Sequence, residues 1–230
     1  MFNRIVIVAL LLSVAACAAR HPRPLAPQLH PLLSLQSLPA PGEYPIDSSG
    51  SELRLLVYRA GPLGNLGHNH VMVNRAVSGR VQIGAGVSAS SFSLSMRAAG
   101  FVVDEAQSRQ EEGGDFPGDI PDDAKAGTRR NMLGSAVLNA AEFPDISVKS
   151  TLLTGTLNEL NADLEISAAG HTSRISVPLT LQGDAHHFIA AGSMELRQTA
   201  LGLTPYSLMR GALQVQDAMQ LKFKITVLTN

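Results

Sequence analysis

The 230-residue chain has one cysteine and no tryptophan, and aromatic residues make up only 4% of it. A single thiol excludes any intrachain disulfide. So few aromatics exclude a stacking platform for bases and an aromatic cage for a quaternary ammonium group. Net charge is small as well: 18 Lys and Arg stand against 19 Asp and Glu, a formal net charge of −1. A nucleic-acid partner selects a strongly basic surface, so none is expected here. No G-x-S-x-G elbow, P-loop or G-x-G-x-x-G turn is present, and the body of the chain holds no cysteine. These absences argue against an enzyme.

Hydrophobic residues are plentiful at 45%, enough for a sizeable core. The longest unbroken apolar run, Ile5 to Leu12, follows Arg4 and is too short to span a bilayer. It reads as the core of a secretory signal peptide over residues 1–16. The single cysteine, Cys17, ends the stretch Val14-Ala15-Ala16-Cys17, which resembles the lipobox of bacterial lipoproteins. Such a site implies lipidation of Cys17 and stable anchoring by several acyl chains. An ordinary signal peptide with a chance cysteine is the alternative. Ala18, not Asp, follows the cysteine. By resemblance to the sorting rule of enteric bacteria, this points to the outer membrane of a Gram-negative cell, with the protein facing the periplasm. Residues 17–42 carry Pro22, Pro24, Pro27, Pro31, Pro39 and Pro41 and read as the lipidated N-terminus and an extended tether. Leu32, Leu33 and Leu35 are apolar exceptions that could pack on the domain.

From residue 43 to 230 a period of two dominates. Phe92, Leu94 and Met96 alternate with serines. Ile175, Val177, Leu179 and Leu181 alternate with Ser176, Pro178 and Thr180. Phe188, Ala190, Gly192, Met194 and Leu196 share a face. The strongest run places Leu213, Val215, Asp217, Met219, Leu221, Phe223, Ile225 and Val227 on one side. Alternation of this length predicts antiparallel strands with one dry and one wet face. Weaker strands are expected at Leu53–Tyr58, Val77–Ile83, Ile146–Leu153 and Leu160–Ala168. The fold class is therefore all-β: an antiparallel β-barrel, closed or nearly closed. Small inward residues (Ala162, Ala168, Ala190, Gly192) leave room inside it. Two stretches break the pattern. Asp104–Lys125 is acidic and rich in Gly and Pro, and predicts a long exposed loop. Thr128–Pro144 predicts one short helix, capped at Thr128 or Asn131 and stopped by Pro144.

Two histidines stand in "LGHNHVMV". In a regular strand His68 and His70 would share one face. They could begin a divalent-metal or haem site, with His171 brought in from a hairpin turn. Alternatively they line a polar mouth and contact a ligand head group. By parity His186 faces inward and His187 outward. Arg97, Arg129, Arg130, Arg197 and Arg210 are candidates for rim contacts to an anionic head group.

Several segments together resemble the YceI-like family. They are "YPID" (Tyr44–Asp47), "VSGRVQI" (Val77–Ile83), "MLGSAVLNAAEFPDISVKST", the hairpin "LNADLEISAAGHTSRISVPLTL" and "LRQTALGL". The resemblance covers residues 43–228. It departs from the family at Arg129-Arg130-Asn131-Met132, at the longer acidic stretch before them, and at "GHNHV". The resemblance implies a lipocalin-like barrel that binds polyisoprenoid-type lipids, including ubiquinone-like quinones. It matches Arg197 to the arginine that precedes the family's last strand. The expected ligand-binding residues are Phe92, Leu94, Met96, Leu164, Ile166, Ile175, Val177, Phe188, Met194, Leu221 and Phe223, with His68, His70 and Arg197 near a mouth. The expected function is a lipid-anchored periplasmic binding protein for an isoprenoid or quinone-like lipid; the alternative is a metal- or haem-binding envelope protein using His68 and His70.

Overall fold

A computed structural model of the protein describes residues 34–183 and 187–229. The signal segment, Cys17, most of the Pro-rich stretch and His186 lie outside the described residues. The strands are β1 (Gly42–Ala60), β2 (His70–Asn74), β3 (Ser78–Ile83), β4 (Ser91–Arg97) and β5 (Val102–Val103). The helices α1 (Ala106–Glu112) and α2 (Asp122–Leu133) come next. They are followed by β6 (Asp145–Thr156), β7 (Glu159–Ala168), β8 (His171–Gly183), β9 (His187–Arg197), β10 (Ser207–Leu208) and β11 (Leu213–Leu228).

The strands β3, β4, β6, β7, β8, β9, β11 and β1 pair in that order, all antiparallel, and β1 returns to β3. This closes eight strands into the expected barrel, with only the short β10 and β5 left as edges among the described residues. Closure depends on β1, which changes partner along its length. Gly42–Pro45 pair with β3, whereas Leu53–Val57 pair with β2 on that same side. The switch occurs at a bulge between Asp47 and Glu52, where the register against β11 shifts. Asp47 Oδ1 accepts from the Ser49 amide and hydroxyl at 2.9 and 2.6 Å, and the Thr226 amide donates to Ser51 Oγ at 3.0 Å. Those bonds satisfy backbone groups that the ladder loses at the bulge.

The glycine of "VSGRVQI" has a steric cause. Gly79 holds φ +149°, and a Cβ there would lie 2.1 Å from the Ser93 carbonyl oxygen of β4. Only glycine allows this approach of β3 to β4.

The acidic stretch corrects the expectation of a solvated loop. Glu111 and Glu112 on α1 accept hydrogen bonds from Arg54 of β1 at 2.8 and 2.9 Å. Lys222 of β11 reaches Glu112 at 2.5 Å, and Arg75 reaches Glu105 at 2.8 Å. Beneath this ionic seam Phe116 packs with Leu56, Val71 and Val73 in a small second core outside the barrel wall. The acids looked solvent-facing because their partners lie on β1, β11 and the turn after β2, far away in sequence. The single expected helix is also corrected. Helix α2 starts before Thr128, with Asp122 and Asp123 in its first turn, and ends at Gly134, well short of Pro144. Carboxylates at that end suit the helix dipole. With α1 there are two α-helices among the described residues.

The end of the Pro-rich stretch packs on the domain. The Leu35 amide donates to the Leu181 carbonyl at 3.2 Å, and the Leu35 side chain is buried.

Candidate ligand-binding cavity

The barrel interior is not filled. One chamber of about 340 Å³ opens near His68, Arg59, Leu208 and Gln214, all exposed. A second, of about 150 Å³, lies deeper and is walled almost wholly by aliphatic and phenyl groups. Leu53, Met96, Val148, Ile166 and Leu221 belong to the walls of both. The chambers thus meet at a ring of five apolar side chains drawn from β1, β4, β6, β7 and β11. Strand parity explains the arrangement, since every second residue of each barrel strand faces inward.

Three of the four small residues expected to leave space do so: Ala168 faces the polar-rimmed chamber, and Ala162 and Ala190 face the apolar one. Gly192 serves another purpose. A Cβ there would lie 2.6 Å from the Phe223 ring and from the Pro178 carbonyl oxygen. Its missing side chain admits the Phe223 ring, not a ligand.

Polar groups converge at the outer chamber. His70 opens β2 and lines the cavity, its side chain 13% exposed. Its Nδ1 lies 2.6 Å from Asp104 Oδ2. Asp104 is fully buried; its Oδ1 accepts from the Val71 amide at 2.9 Å and from Arg109 Nη1 at 2.7 Å. Arg109, 3% exposed, also donates to the carbonyls of Asn69, Pro117 and Gly118. Asp104 takes φ +55°, a conformation that aspartate tolerates better than most residues. Burial pushes the Asp104 carboxyl up, but hydrogen bonds from His70, Val71 and Arg109 outweigh it and hold the group below the ordinary carboxylate range. On the other ring nitrogen, His70 Nε2 stands 3.4 Å from Thr128 Oγ1 of α2. Burial, with the charges of Asp115 and Glu112, raises the phenol of Tyr58, which also lines this chamber.

The YceI-like domain matches residues 44–227. The chain belongs to the YceI-like family. No curated protein matches its sequence. Among solved structures, Burkholderia cenocepacia BcnA superposes with a TM-score of 0.59 at 15% identity, covering 79% of this chain and 98% of that one. A polyisoprenoid-binding domain from Saccharophagus degradans, implicated in plant cell wall breakdown, superposes with a TM-score of 0.52 at 10% identity, covering 81% and 98%. At these identities the structures share the fold.

Within this YceI-like barrel, Phe92, Leu94, Leu164, Ile175, Val177, Phe188 and Phe223 line the apolar chamber. Met96, Ile166 and Leu221 stand at the junction, and His68 and His70 at the outer chamber. Met194 is half-buried and lies outside both walls. Arg197 is exposed and sits 3.7 Å from both Glu195 and Asp217. His171 starts β8 on the surface, where it packs against Gly202. His68 precedes β2, so the regular-strand geometry does not apply; its ring meets His70 edge-on at 6.3 Å. Among the described residues no three His, Cys, Asp or Glu side chains gather as a metal site requires. Of the five candidate arginines, none lines either chamber. Arg59 does, and it is tethered to the Asn65 and Gly67 carbonyls.

Sequence reasoning missed Asp104, Arg109 and Thr128. Asp104 and His70 are far apart along the chain and no spacing rule joins them. The one local signal is that Asp104 directly follows the apolar pair Val102-Val103.

Proposed function

We propose that the protein is a carrier, not a catalyst, and that it holds an amphiphilic isoprenoid-type lipid, a prenol or a quinone-like molecule. The tail runs through both chambers, and the head stays among His68, His70, Thr128 and Asn131. The observation that supports this best is the shared ring of Leu53, Met96, Val148, Ile166 and Leu221. These five side chains border both apolar spaces, and a long, narrow tail would pass between them from one to the other. The outer chamber alone falls in the roughly 300–1,000 Å³ range of small-molecule sites. Each tail carbon buried contributes about 0.8 kcal/mol. The family relation and the polyisoprenoid-binding domain from Saccharophagus degradans agree with this reading. We further propose that Cys17 is lipidated and tethers the barrel to the outer membrane, facing the periplasm, where such lipids are within reach.

Native mass spectrometry of protein purified from its host without detergent tests the proposal. The expected result is a mass increment that organic extraction removes and that proves to be a prenyl lipid. A bare-chain mass, with no uptake of geranylgeraniol or ubiquinone from vesicles, would overturn it.

A further inference from the structure

The hydrogen-bond pattern around His70 restricts what kind of head group the outer chamber can accept. Asp104 is an ionised carboxylate, so it can only accept. Its Oδ1 is taken by the Val71 amide and Arg109, and its Oδ2 lies 2.6 Å from His70 Nδ1. Nδ1 must therefore carry the hydrogen. Arg109 Nη1 stands 2.7 Å from Asp104 Oδ1, so the carboxylate already has a cationic partner. A neutral imidazole protonated at Nδ1 presents a bare lone pair at Nε2. Its protein neighbour there, Thr128 Oγ1, is 3.4 Å away, too far for a strong bond. Nε2 is thus a fixed, underused acceptor on the wall of an apolar chamber.

We propose that this acceptor selects a ligand whose head carries a hydroxyl, a prenol or a hydroquinone, over one that offers only an ether or carbonyl oxygen. The ligand hydroxyl donates to His70 Nε2 and accepts from the Thr128 hydroxyl, bridging the two from the cavity side. A quinone carbonyl placed there can accept from Thr128, but it sets a lone pair against that of Nε2 and leaves Nε2 unsatisfied, which is costly in a buried site. The inference rests on the lipid-carrier reading and adds the chemical class of the head.

The test uses the full chain and ligands matched in tail. Displacement of a fluorescent fatty-acid probe is measured for geranylgeraniol against its methyl ether, and for decylubiquinol against decylubiquinone. The expected result is roughly five- to tenfold tighter binding of the hydroxyl-bearing member of at least one pair. A preference confined to the first pair assigns a prenol; one confined to the second assigns a hydroquinone. Two variants separate this from a structural role of His70. In Asp104→Asn the amide oxygen still accepts from Val71 and Arg109, so the amide N–H₂ faces His70 Nδ1. The ring must then carry its hydrogen on Nε2, which hydroxyl, ether and carbonyl oxygens all accept, so the preference for the hydroxyl-bearing member should fall to about one. In His70→Gln, which can both donate and accept, the preference should fall to about one while tail binding persists. Equal affinity within both pairs in the unaltered protein would overturn the head-group inference and leave the carrier reading intact. Failure of every probe to bind would overturn both.

Discussion

Replacing Ala162 by leucine should shorten the tail that the barrel accepts. Ala162 is fully buried on β7 between Leu153 and Val177, and it faces the apolar chamber. Leucine places roughly three further carbons into a space of about 150 Å³. That is most of one isoprene unit. Excluding one such unit forfeits up to about 4 kcal/mol at ~0.8 kcal/mol per carbon. Partial accommodation lowers this to about 2–3 kcal/mol, or roughly thirty- to a hundred-and-fiftyfold in Kd. Geraniol, farnesol and geranylgeraniol, each competing against a fluorescent fatty-acid probe, provide the measurement. The unaltered protein should gain affinity with each added unit. The variant should match it on geraniol and gain little beyond farnesol. Its melting temperature should hold or rise, because the substitution fills a void. Equal length dependence in the two proteins would refute the placement of the tail in the deep chamber. An equal loss for all three ligands would refute it too, since it would mean general damage.

Other outcomes follow from the same contacts. Asp104→Ala leaves Arg109 buried without its anion and should cost about 3–5 kcal/mol in urea unfolding; a loss under ~1 kcal/mol would contradict the buried pairing. Asp104 is held below its ordinary value of 3.8, and Glu112, where burial is outweighed by Lys222 and Arg54, below 4.5. The unfolded chain therefore takes up these protons first as pH falls. Their stabilisation is complete above about pH 5 and is lost from about pH 4.5 downward, through the lower folded-state values. Acid titrations followed by circular dichroism should show this limb, and Glu112→Gln should flatten it; an unchanged limb in that variant would remove Glu112 from the explanation. Gly79→Ala forces a side chain against the Ser93 carbonyl in a backbone conformation that alanine resists, and should cost about 2 kcal/mol or more. Stability equal to the parent protein would show that β3 and β4 can separate without penalty.

What could be read from the sequence was whatever local periodicity records. On β11, Leu213 to Val227 alternate as expected, and all of that face except Asp217 lines a chamber. Strand β2 resisted the same reading. Val71, Met72, Val73 and Asn74 are all buried, because Met72 faces the cavity while Val71 and Val73 face the Phe116 core outside. A strand covered on both sides loses its alternation. The acidic stretch misled because composition records charge but not partners, and Arg54, Arg75 and Lys222 are supplied by distant segments. His70 stood out in "LGHNHVMV", but its role depends on Asp104 and Arg109, which only the folding of the acidic stretch against β2 brings to it.

The most direct test is methyl NMR of the delipidated protein during titration with geranylgeraniol. Resonances of Leu53, Met96, Val148, Ile166 and Leu221, the residues common to both chambers, should shift together and saturate. Those of Val102 and Leu152, exposed and outside both chambers, should stay in place. Shifts confined to exposed methyls, with the five junction residues unmoved, would contradict a tail passing through the barrel.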